Sequence, residues 1–266
     1  VIPVHDIQGN GHTSPLAGQS ITTEGVVTAL RGNGFFLQDL NPDNDDATSE
    51  GVWVSGGIVA SVAVGDHLSV DGLVQEITLG GAGSNLLSVT TLQPSKVTVL
   101  NQGTSLPAPI VLGNGGRIPP GSVIEDDNFT IFDPAQDGLD FYESLEGMRV
   151  QINDARVVGP TDLNEGIWVL ADNGVNAGPR TERGGIYQVT GDGNPERIQL
   201  RADLYPGGVL PVANAGTRFS APVIGIMDYP VLNYAILVTS ALTPDPTGVG
   251  SRETTTIAGD SESMTI

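Results

Sequence analysis

Short stretches of alternating apolar and polar residues, each ended by glycine, proline, asparagine or aspartate, recur along nearly the whole chain. A period of two is typical of β-strands that bury one face, and the turn-forming residues keep each strand short. The predicted strands are 21–30, 34–38, 51–55, 67–77, 86–92, 148–158, 166–171, 197–202, 217–228 and 234–239. The best helix candidate is the short segment 140–147. The pattern therefore predicts an all-β fold built from sandwiches or small barrels.

Acidic residues outnumber basic ones, with 31 Asp and Glu against 11 Lys and Arg and a formal net charge of −20. The chain has no basic tract for phosphate-driven DNA binding, and its lack of cysteine excludes disulfides, thiol catalysis and zinc–thiolate sites. No apolar run approaches the roughly 18 residues of a membrane helix, so no membrane span is predicted. An acidic surface with a single lysine, Lys96, favours a secreted, extracellular protein, because net charge keeps it soluble.

The chain length of 266 residues leaves room for two domains of ordinary size. A Glu-Gly-aliphatic-Trp motif ends at Trp53 and again at Trp168, and this spacing is a domain length. We favour two related barrels over chance recurrence in a glycine-rich β protein. A proline- and glycine-rich segment without periodicity predicts a linker between them. The expected domains are a first barrel in 1–104, a linker in 105–123, a second barrel in 124–242 and a flexible connector in 243–266.

The densest polar segment is the acidic stretch 39–50, between two predicted strands. Counted from its first residue, acids or amides fall at positions 1, 3 and 5 and a glutamate falls at position 12, which is the oxygen-ligand spacing of a calcium loop. The candidate ligands are Asp39, Asn41, Asp43, Asp45 and Glu50. Because the flanking segments are predicted strands rather than helices, a solvated hairpin loop without metal is the alternative.

A second acidic cluster lies beside the candidate helix and consists of Asp126, Asp127, Asp133, Asp137 and Asp140. Its spacing is irregular, so a solvated, capped turn is favoured over a metal site. Of the three histidines, His5 and His12 are separated by two glycines that give them no fixed joint geometry. We therefore expect them to anchor the N-terminal segment by hydrogen bonds rather than to bind zinc.

Nucleic-acid binding on a small barrel uses exposed aromatic rings for stacking and basic residues along a groove. In the second half of the chain, the candidates for this role are Trp168, Arg180, Arg183, Tyr187, Arg197 and Arg201. The competing interpretation places the tryptophan in the core, since aromatic residues make up only 5% of the chain. The global negative charge repels DNA unless salt or bound cations screen it.

Several segments resemble the OB-fold-like module of large secreted bacterial nucleases. In the first half they are His5-Asp6-Ile7-Gln8-Gly9, His12-Thr13-Ser14-Pro15, Glu24-Gly25-Val26-Val27-Thr28, Gly34-Phe35-Phe36-Leu37-Gln38-Asp39 and Thr48-Ser49-Glu50-Gly51. In the second half they are Phe141-Tyr142-Glu143-Ser144-Leu145-Glu146-Gly147-Met148, Val157-Val158-Gly159-Pro160-Thr161 and Asn194-Pro195-Glu196-Arg197-Ile198-Gln199. The resemblance implies two tandem OB-like β-barrels that precede a catalytic domain of the endonuclease/exonuclease/phosphatase superfamily. That domain's metal ligands and catalytic histidine have no counterpart in this sequence.

The resemblance and the residue patterns together predict the non-catalytic N-terminal region of an extracellular nuclease. We expect calcium to stabilise this region. We also expect the region to position single-stranded nucleic acid or a surface partner for a C-terminal catalytic domain outside this chain. The alternative is a structural or adhesive extracellular module that self-associates through β-strand edges. A third interpretation, carbohydrate binding, would use the same aromatic residues without the arginines.

Overall fold

The computed structural model describes residues 1–32, 34–56, 62–78, 81, 86–163, 166–182, 184–230 and 232–245. Within these ranges the chain forms thirteen β-strands and two short α-helices, so the predicted all-β class is confirmed. Neither described helix is long and apolar enough to cross a membrane. The elements of the first half are α1 (Val4–Gln8), β1 (Ser20–Arg31), β2 (Gly34–Gln38), β3 (Gly51–Ser55), β4 (His67–Thr78) and β5 (Ser88–Asn101).

The first half is a closed five-stranded barrel in the order β1-β2-β3-β5-β4. The β3–β5 pair is parallel and every other pair in the ring is antiparallel. Alternate side chains of these strands, such as Phe35 and Leu37, point into the barrel core. Helix α1 adds Val4 and Ile7, both fully buried, to the same core. Burial of each such side chain contributes about 1.5–3 kcal/mol.

The second half forms a mixed sheet in the order β11-β8-β9-β10-β13-β12-β7-β6. Its elements are β6 (Ile110–Leu112), α2 (Gly138–Glu143), β7 (Arg149–Ile152), β8 (Ala155–Val157), β9 (Ile167–Leu170), β10 (Ile198–Arg201), β11 (Arg218–Phe219), β12 (Val223–Asp228) and β13 (Ala235–Val238). Only Asn153 and Asp154 separate β7 from β8, and Asp154 has a positive φ of 47° that bends the chain there. Strands β7 and β8 therefore act as one bent strand.

With β7 and β8 taken together, the second half repeats the connectivity of the first. The ring runs from this bent strand through β9, β10, β13 and β12 and returns to β7. Its third and fifth strands, β10 and β13, are parallel, as are β3 and β5 in the first ring. Two OB-like rings are thus present, as predicted. Trp53 lies in the third strand of its ring and Trp168 in the second strand of its own, so the tryptophan motif does not mark equivalent positions.

Two segments differ from the sequence-based expectations. Residues 110–112 of the predicted linker form β6, which pairs in parallel with β7 and extends the second sheet. The first turn of the chain is helical in α1, although no helix was predicted there. Helix α2 covers 138–143 where the sequence predicted 140–147. Most of the predicted connector, residues 246–266, lies outside the described residues.

The two rings pack against each other through the outer face of the first one. Phe36 and Trp53 point away from the first barrel core and contact Ile226 and Leu237 of the second ring. Polar contacts also cross this interface. One is the hydrogen bond that the Arg149 backbone N–H donates to the Gln38 side-chain oxygen at 2.9 Å. The second ring therefore covers part of the outer face of β2 and β3, including Phe36.

Candidate functional site

The strongest candidate is the outer face of the second ring, where arginine side chains gather. In β8, Ala155 and Val157 point into the core and Arg156 points outward. Arg218 of β11 lies directly opposite Arg156 on the same face. The other members of this surface come from β9, β10 and the loops that cover them. We call it the arginine face, and its residues are Arg156, Arg180, Arg197, Arg201, Arg218 and Trp168.

Trp168 is the aromatic centre of the arginine face. Its neighbours Ile167 and Val169 are fully buried in the core, so the alternation of β9 turns the half-buried indole outward. The Arg197 guanidinium carbon lies 5.2 Å from the centre of the Trp168 ring. This is a cation–π contact, which holds the arginine over the ring, and Arg197 Nε donates to the Asn194 carbonyl at 3.3 Å. Trp168 is therefore half-buried and lies outside the buried core cluster of the second ring.

Three arginines form a positive cluster at one end of the face. Arg156 and Arg218 are direct cross-strand neighbours, and like charges in such pairs repel. Arg180 lies close to Arg156, and burial together with this neighbouring charge lowers the pKa of Arg180. Within the described residues, the Nε atoms of Arg156, Arg180 and Arg218 are buried without a hydrogen-bond partner. An anion that approaches the cluster would meet concentrated charge and unused donors.

Amides and carboxylates border the arginine face. Gln199 lies opposite Trp168, and its Nε2 is 3.4 Å from Asp162 Oδ2 while its Oε1 accepts from Asn233 Nδ2 at 2.9 Å. Asp162 and Asn233 lie in the β8–β9 and β12–β13 loops, which correspond to the loops that OB-folds use for ligand binding. These groups offer hydrogen bonds around the aromatic ring.

Some of the positive charge on the face is already paired. Arg201 Nε lies 3.0 Å from Asp203 Oδ2, and Arg218 Nη2 lies 2.6 Å from Asp154 Oδ1. Both pairs are partly exposed, so solvent screens them and exchange for a phosphate partner costs little. Asp203 also lines a cleft of about 360 Å³ between the two rings, beside Arg31 and Trp53.

The structure brings Trp168, Arg197 and Arg201 of the sequence-predicted set onto one face. Arg180 lies in the loop before β10, where its Nη1 donates to the Asn173 carbonyl at 2.7 Å. Tyr187 is exposed in the same loop. Arg183 lies outside the described residues. The sequence-predicted set omits Arg156 and Arg218. Both could have been found, because each stands next to apolar core residues in a strand segment, where alternation turns its side chain outward.

The acidic loop 39–50 joins β2 to β3 and is held by its own carboxylates. The backbone N–H of Asn41 donates to Asp39 at 2.8 Å, and that of Asp45 donates to Asp43 at 2.7 Å. The buried Glu50 accepts from the Asp43 backbone N–H at 2.8 Å. Asn44 occupies the left-handed turn position with a φ of 64°. The loop is therefore a folded turn stabilised by side-chain acceptors.

Of the four predicted carboxylate ligands of calcium, Asp43 and Glu50 belong to one group of neighbouring ligand atoms. Asp43 and Glu50 place carboxylate oxygens within 4.8 Å of each other and of a His5 ring nitrogen. Burial raises the pKa of Glu50, which hydrogen bonds from Asp43 and His5 only partly oppose. Asp39 and Asp45 do not belong to this group, and Asp39 instead accepts from the Val4 backbone N–H at 3.3 Å. Asn41 is exposed at the outer edge of the loop.

The second acidic cluster is solvated at Asp126, whereas two of its carboxylates are buried. Asp137 and Asp140 are 1% and 0% exposed. Asp137 occupies the N-cap position of α2 but makes no side-chain capping hydrogen bond. His12 extends from the N-terminal segment to this cluster, which places its Nε2 3.1 Å from Asp140 Oδ1. The cluster thus lies at a buried junction between the two halves of the chain.

Comparison with known proteins gives one family and no curated relative. No curated protein matches the chain by sequence. A family model described as Domain of unknown function (DUF8508) matches residues 111–247, just over half of the chain. The match begins inside β6 and includes every strand of the second ring, and with them the whole arginine face. The chain therefore belongs to the DUF8508 family of domains of unknown function.

Proposed function

We propose that the chain is a non-catalytic binding region that takes single-stranded nucleic acid on the arginine face. One observation carries the proposal: five of the ten arginines in a chain of net charge −20, those of the arginine face, belong to the second ring and its loops, with Arg197 over Trp168 and Arg218 opposite Arg156. The local positive charge of these arginines is opposite in sign to the net charge of the whole molecule. Screening confines exposed charges to about 8 Å at physiological salt, so a phosphate at this face responds mainly to the local arginines.

The chemistry of the face favours a single strand over a duplex. An unpaired base can stack on the Trp168 indole, while the Arg156, Arg180 and Arg218 cluster supplies charge to the sugar–phosphate backbone. Amide groups such as that of Gln199 can bond to base edges. Stacking and backbone contact are both tolerant of sequence, so we expect weak sequence preference.

Packing between the rings favours the second ring over the first as the binding ring. OB-folds bind oligonucleotides on the face of their second and third strands. In the first ring these are β2 and β3, where Phe36 is fully buried beneath Ile226 and Leu237 of the second ring and Trp53 packs against the same cluster. In the second ring they are β9 and β10, which bear the half-buried Trp168. The acidic loop 39–50 adds further repulsion at the first ring.

The resemblance to secreted nucleases supports the same proposal. It suggests an extracellular protein in which this region positions a strand for a catalytic domain that lies elsewhere in the parent nuclease. In that arrangement this region binds nucleic acid without cutting it. Incubation of the chain with plasmid and Mg²⁺ or Mn²⁺ should therefore leave the plasmid intact.

A titration of fluorescently labelled oligothymidine, followed by anisotropy at about 50 to 200 mM salt, tests the proposal. We expect weak binding that Arg197→Ala and Arg201→Ala each weaken, with the salt slope reduced by about 1 per residue. Trp168→Ala should cost about 1–3 kcal/mol through lost stacking while leaving the salt slope unchanged.

The matched control is Lys96→Ala, which removes a positive charge in β5 of the first ring, away from the arginine face. It should leave affinity and salt slope as in the unmodified chain. Absence of binding at low salt would sink the proposal. Equal weakening by Lys96→Ala and Arg197→Ala would also sink it, because binding would then follow total charge instead of this face.

Self-association through strand edges is the alternative, and the strand pairing gives it less support. The first ring is closed, and the sheet of the second ends in β6 and β11, which are three and two residues long. Such short edges are poor templates for another strand. Light scattering over a range of protein concentrations separates the two functions, since only the alternative predicts a mass that rises with concentration.

A further inference from the structure

The buried carboxylate cluster at α2 has the composition of a metal site. Ligand atoms of His12, Glu125 and Asp140 lie within 4.8 Å of one another, and so do those of Asp133, Asp137 and Asp140. Asp140 belongs to both groups and is fully buried. The histidine comes from the segment after α1, more than a hundred residues before the carboxylates. Chain folding thus brings the imidazole to Glu125 and Asp140, while Asp133 and Asp137 form a second group around Asp140.

Several of these ligand atoms have no hydrogen-bond partner among the described residues. Asp140 Oδ1 and His12 Nε2 are 3.1 Å apart, yet neither atom makes a hydrogen bond. Glu125 Oε2 and Asp137 Oδ1 are also buried and unpartnered. Buried polar atoms in folded proteins nearly always have a partner, so a group of unpartnered atoms at one place requires an explanation.

The remaining atoms of the cluster are held in place by the backbone. Asp140 Oδ2 accepts from the Asp133 backbone N–H at 2.7 Å. Glu125 Oε1 accepts from the backbone N–H groups of Asp127 and Phe129, at 2.9 and 3.1 Å. Asp140 and Glu125 therefore each have one oxygen held by the backbone, while the other oxygen makes no hydrogen bond. Outer hydrogen bonds of this kind orient metal ligands.

Aromatic rings enclose the histidine. The edges of Phe129 and Phe132 lie against the His12 ring, with centroids 5.0 and 5.1 Å away. Burial lowers the pKa of His12 and raises the pKa of Asp140 to about 6. A neutral imidazole is the form that binds a metal, and a cation would compensate the cost of the buried carboxylates.

We infer that His12, Glu125 and Asp140 bind a divalent transition-metal ion that links the N-terminal segment to the second ring. Asp133 and Asp137 lie beside this site, in a second group that they form with Asp140. One imidazole nitrogen with several carboxylate oxygens suits Zn²⁺ or Mn²⁺, whereas Ca²⁺ prefers oxygen ligands alone. The ion would link the two halves of the chain at a point where buried ligand atoms of the described residues lack hydrogen-bond partners.

The loop 39–50 provides the internal comparison. There His5 Nδ1 and the Asp43 N–H bond to the two oxygens of Glu50, and both oxygens of Asp43 accept hydrogen bonds from Asp45 and Thr48. A cation at that loop must displace existing hydrogen bonds. A cation bound by His12, Glu125 and Asp140 displaces no hydrogen bond from His12 Nε2, Glu125 Oε2 or Asp140 Oδ1.

The test uses the full chain, stripped with a chelator and titrated calorimetrically with Zn²⁺ or Mn²⁺. We expect one ion per chain and a rise in melting temperature. Asp140→Asn and His12→Gln should each weaken binding at least about tenfold, the range by which even outer-shell changes lower metal affinity. Glu50→Gln serves as the matched control and should bind as the unmodified chain does. Circular dichroism confirms that each variant is folded, and His12→Gln tests the site if Asp140→Asn does not fold.

Three outcomes would overturn the inference. The first is a folded, stripped chain that binds neither Zn²⁺ nor Mn²⁺. The second is unchanged affinity in folded His12→Gln and Asp140→Asn, or a loss confined to Glu50→Gln. The third is tighter binding of Ca²⁺ than of either ion with no effect of His12→Gln, which would exclude the imidazole as a ligand. None of these results depends on nucleic-acid binding.

Discussion

Gly51 and Gly147 touch backbone to backbone where the two rings meet. A Cβ built on Gly51 would lie 2.2 Å from the carbonyl carbon of Gly147, and one on Gly147 would lie 2.7 Å from the carbonyl carbon of Gly51. Gly147 also has a positive φ of 75°, which side chains other than glycine rarely adopt. Gln8 reinforces the contact by donating to the Gly51 carbonyl at 2.6 Å. The close approach of the rings therefore requires glycine on both sides.

Gly51→Ala should destabilise the chain by about 1–3 kcal/mol, because the added methyl group overlaps backbone atoms that cannot move aside without separating the rings. Urea unfolding followed by circular dichroism measures the change. Gly159→Ala is the matched control, since a Cβ at Gly159 meets no atom within 4 Å. Equal stability of the two variants would contradict the role assigned to the Gly51 contact.

Strand prediction succeeded where one face of a strand is buried. In β2 and β3 the alternation of Phe35, Leu37, Val52 and Val54 predicted the observed bounds. Strand β5 runs nine residues beyond its predicted end, because Pro94 and a bulge opposite Asp71 and Gly72 interrupt the alternation. Helix α1 and strand β6 are too short to show a period. Pairing with distant segments, not local pattern, determines them.

The candidate sites were harder to predict because they depend on contacts between distant segments. Trp168 and Arg197 could be proposed from residue type and proximity in sequence. Arg156 and Arg218 meet only because β8 pairs with β11. His12 reaches Asp140 across more than a hundred residues, so no spacing rule could join them. The burial of Asp140 likewise depends on packing with distant segments. The local sequence does not show it, so a solvated turn was the natural expectation.

Loss of the ion pair between Arg31 and Asp228 should be strongly destabilising. Asp228 is only 2% exposed, and its burial raises its pKa against the opposing charge of Arg31. Arg31→Met keeps an apolar contact with the Trp53 ring but leaves the carboxylate unpaired, which should cost about 3–5 kcal/mol. Arg201→Met, which breaks the partly exposed pair with Asp203, should cost no more than about 1 kcal/mol. Denaturant unfolding of both variants checks the difference, and similar losses would refute it.

Calcium binding at the loop 39–50 stays a prediction of the ligand spacing. Millimolar Ca²⁺ should raise the melting temperature, since an ion that binds only the folded state adds about 2.7 kcal/mol at a hundredfold excess over Kd. Asp43→Ala and Glu50→Ala should remove the rise, because their oxygens lie together. Asp45→Ala should keep it, as Asp45 lies outside that group. Identical melting curves in chelator and in calcium would eliminate the site.

The buried Glu143 should make the chain less stable as the pH rises. Burial, with the charges of Glu76 and Asp140, raises the pKa of Glu143 from 4.5 to about 8, although its carboxylate accepts a hydrogen bond from Tyr234. The folded chain then holds a proton that the unfolded chain releases, so the free energy of unfolding falls between pH 4.5 and 8.

Glu143→Gln keeps an acceptor for Tyr234 without the charge. The variant should match the original chain near pH 4.5, exceed its stability at pH 8.5 and show a shallower slope between. Glu182→Gln, at an exposed glutamate, should reproduce the original profile. Urea unfolding across this pH range provides the measurement, and a Glu143→Gln curve parallel to that of the original chain would show that Glu143 titrates alike in both states.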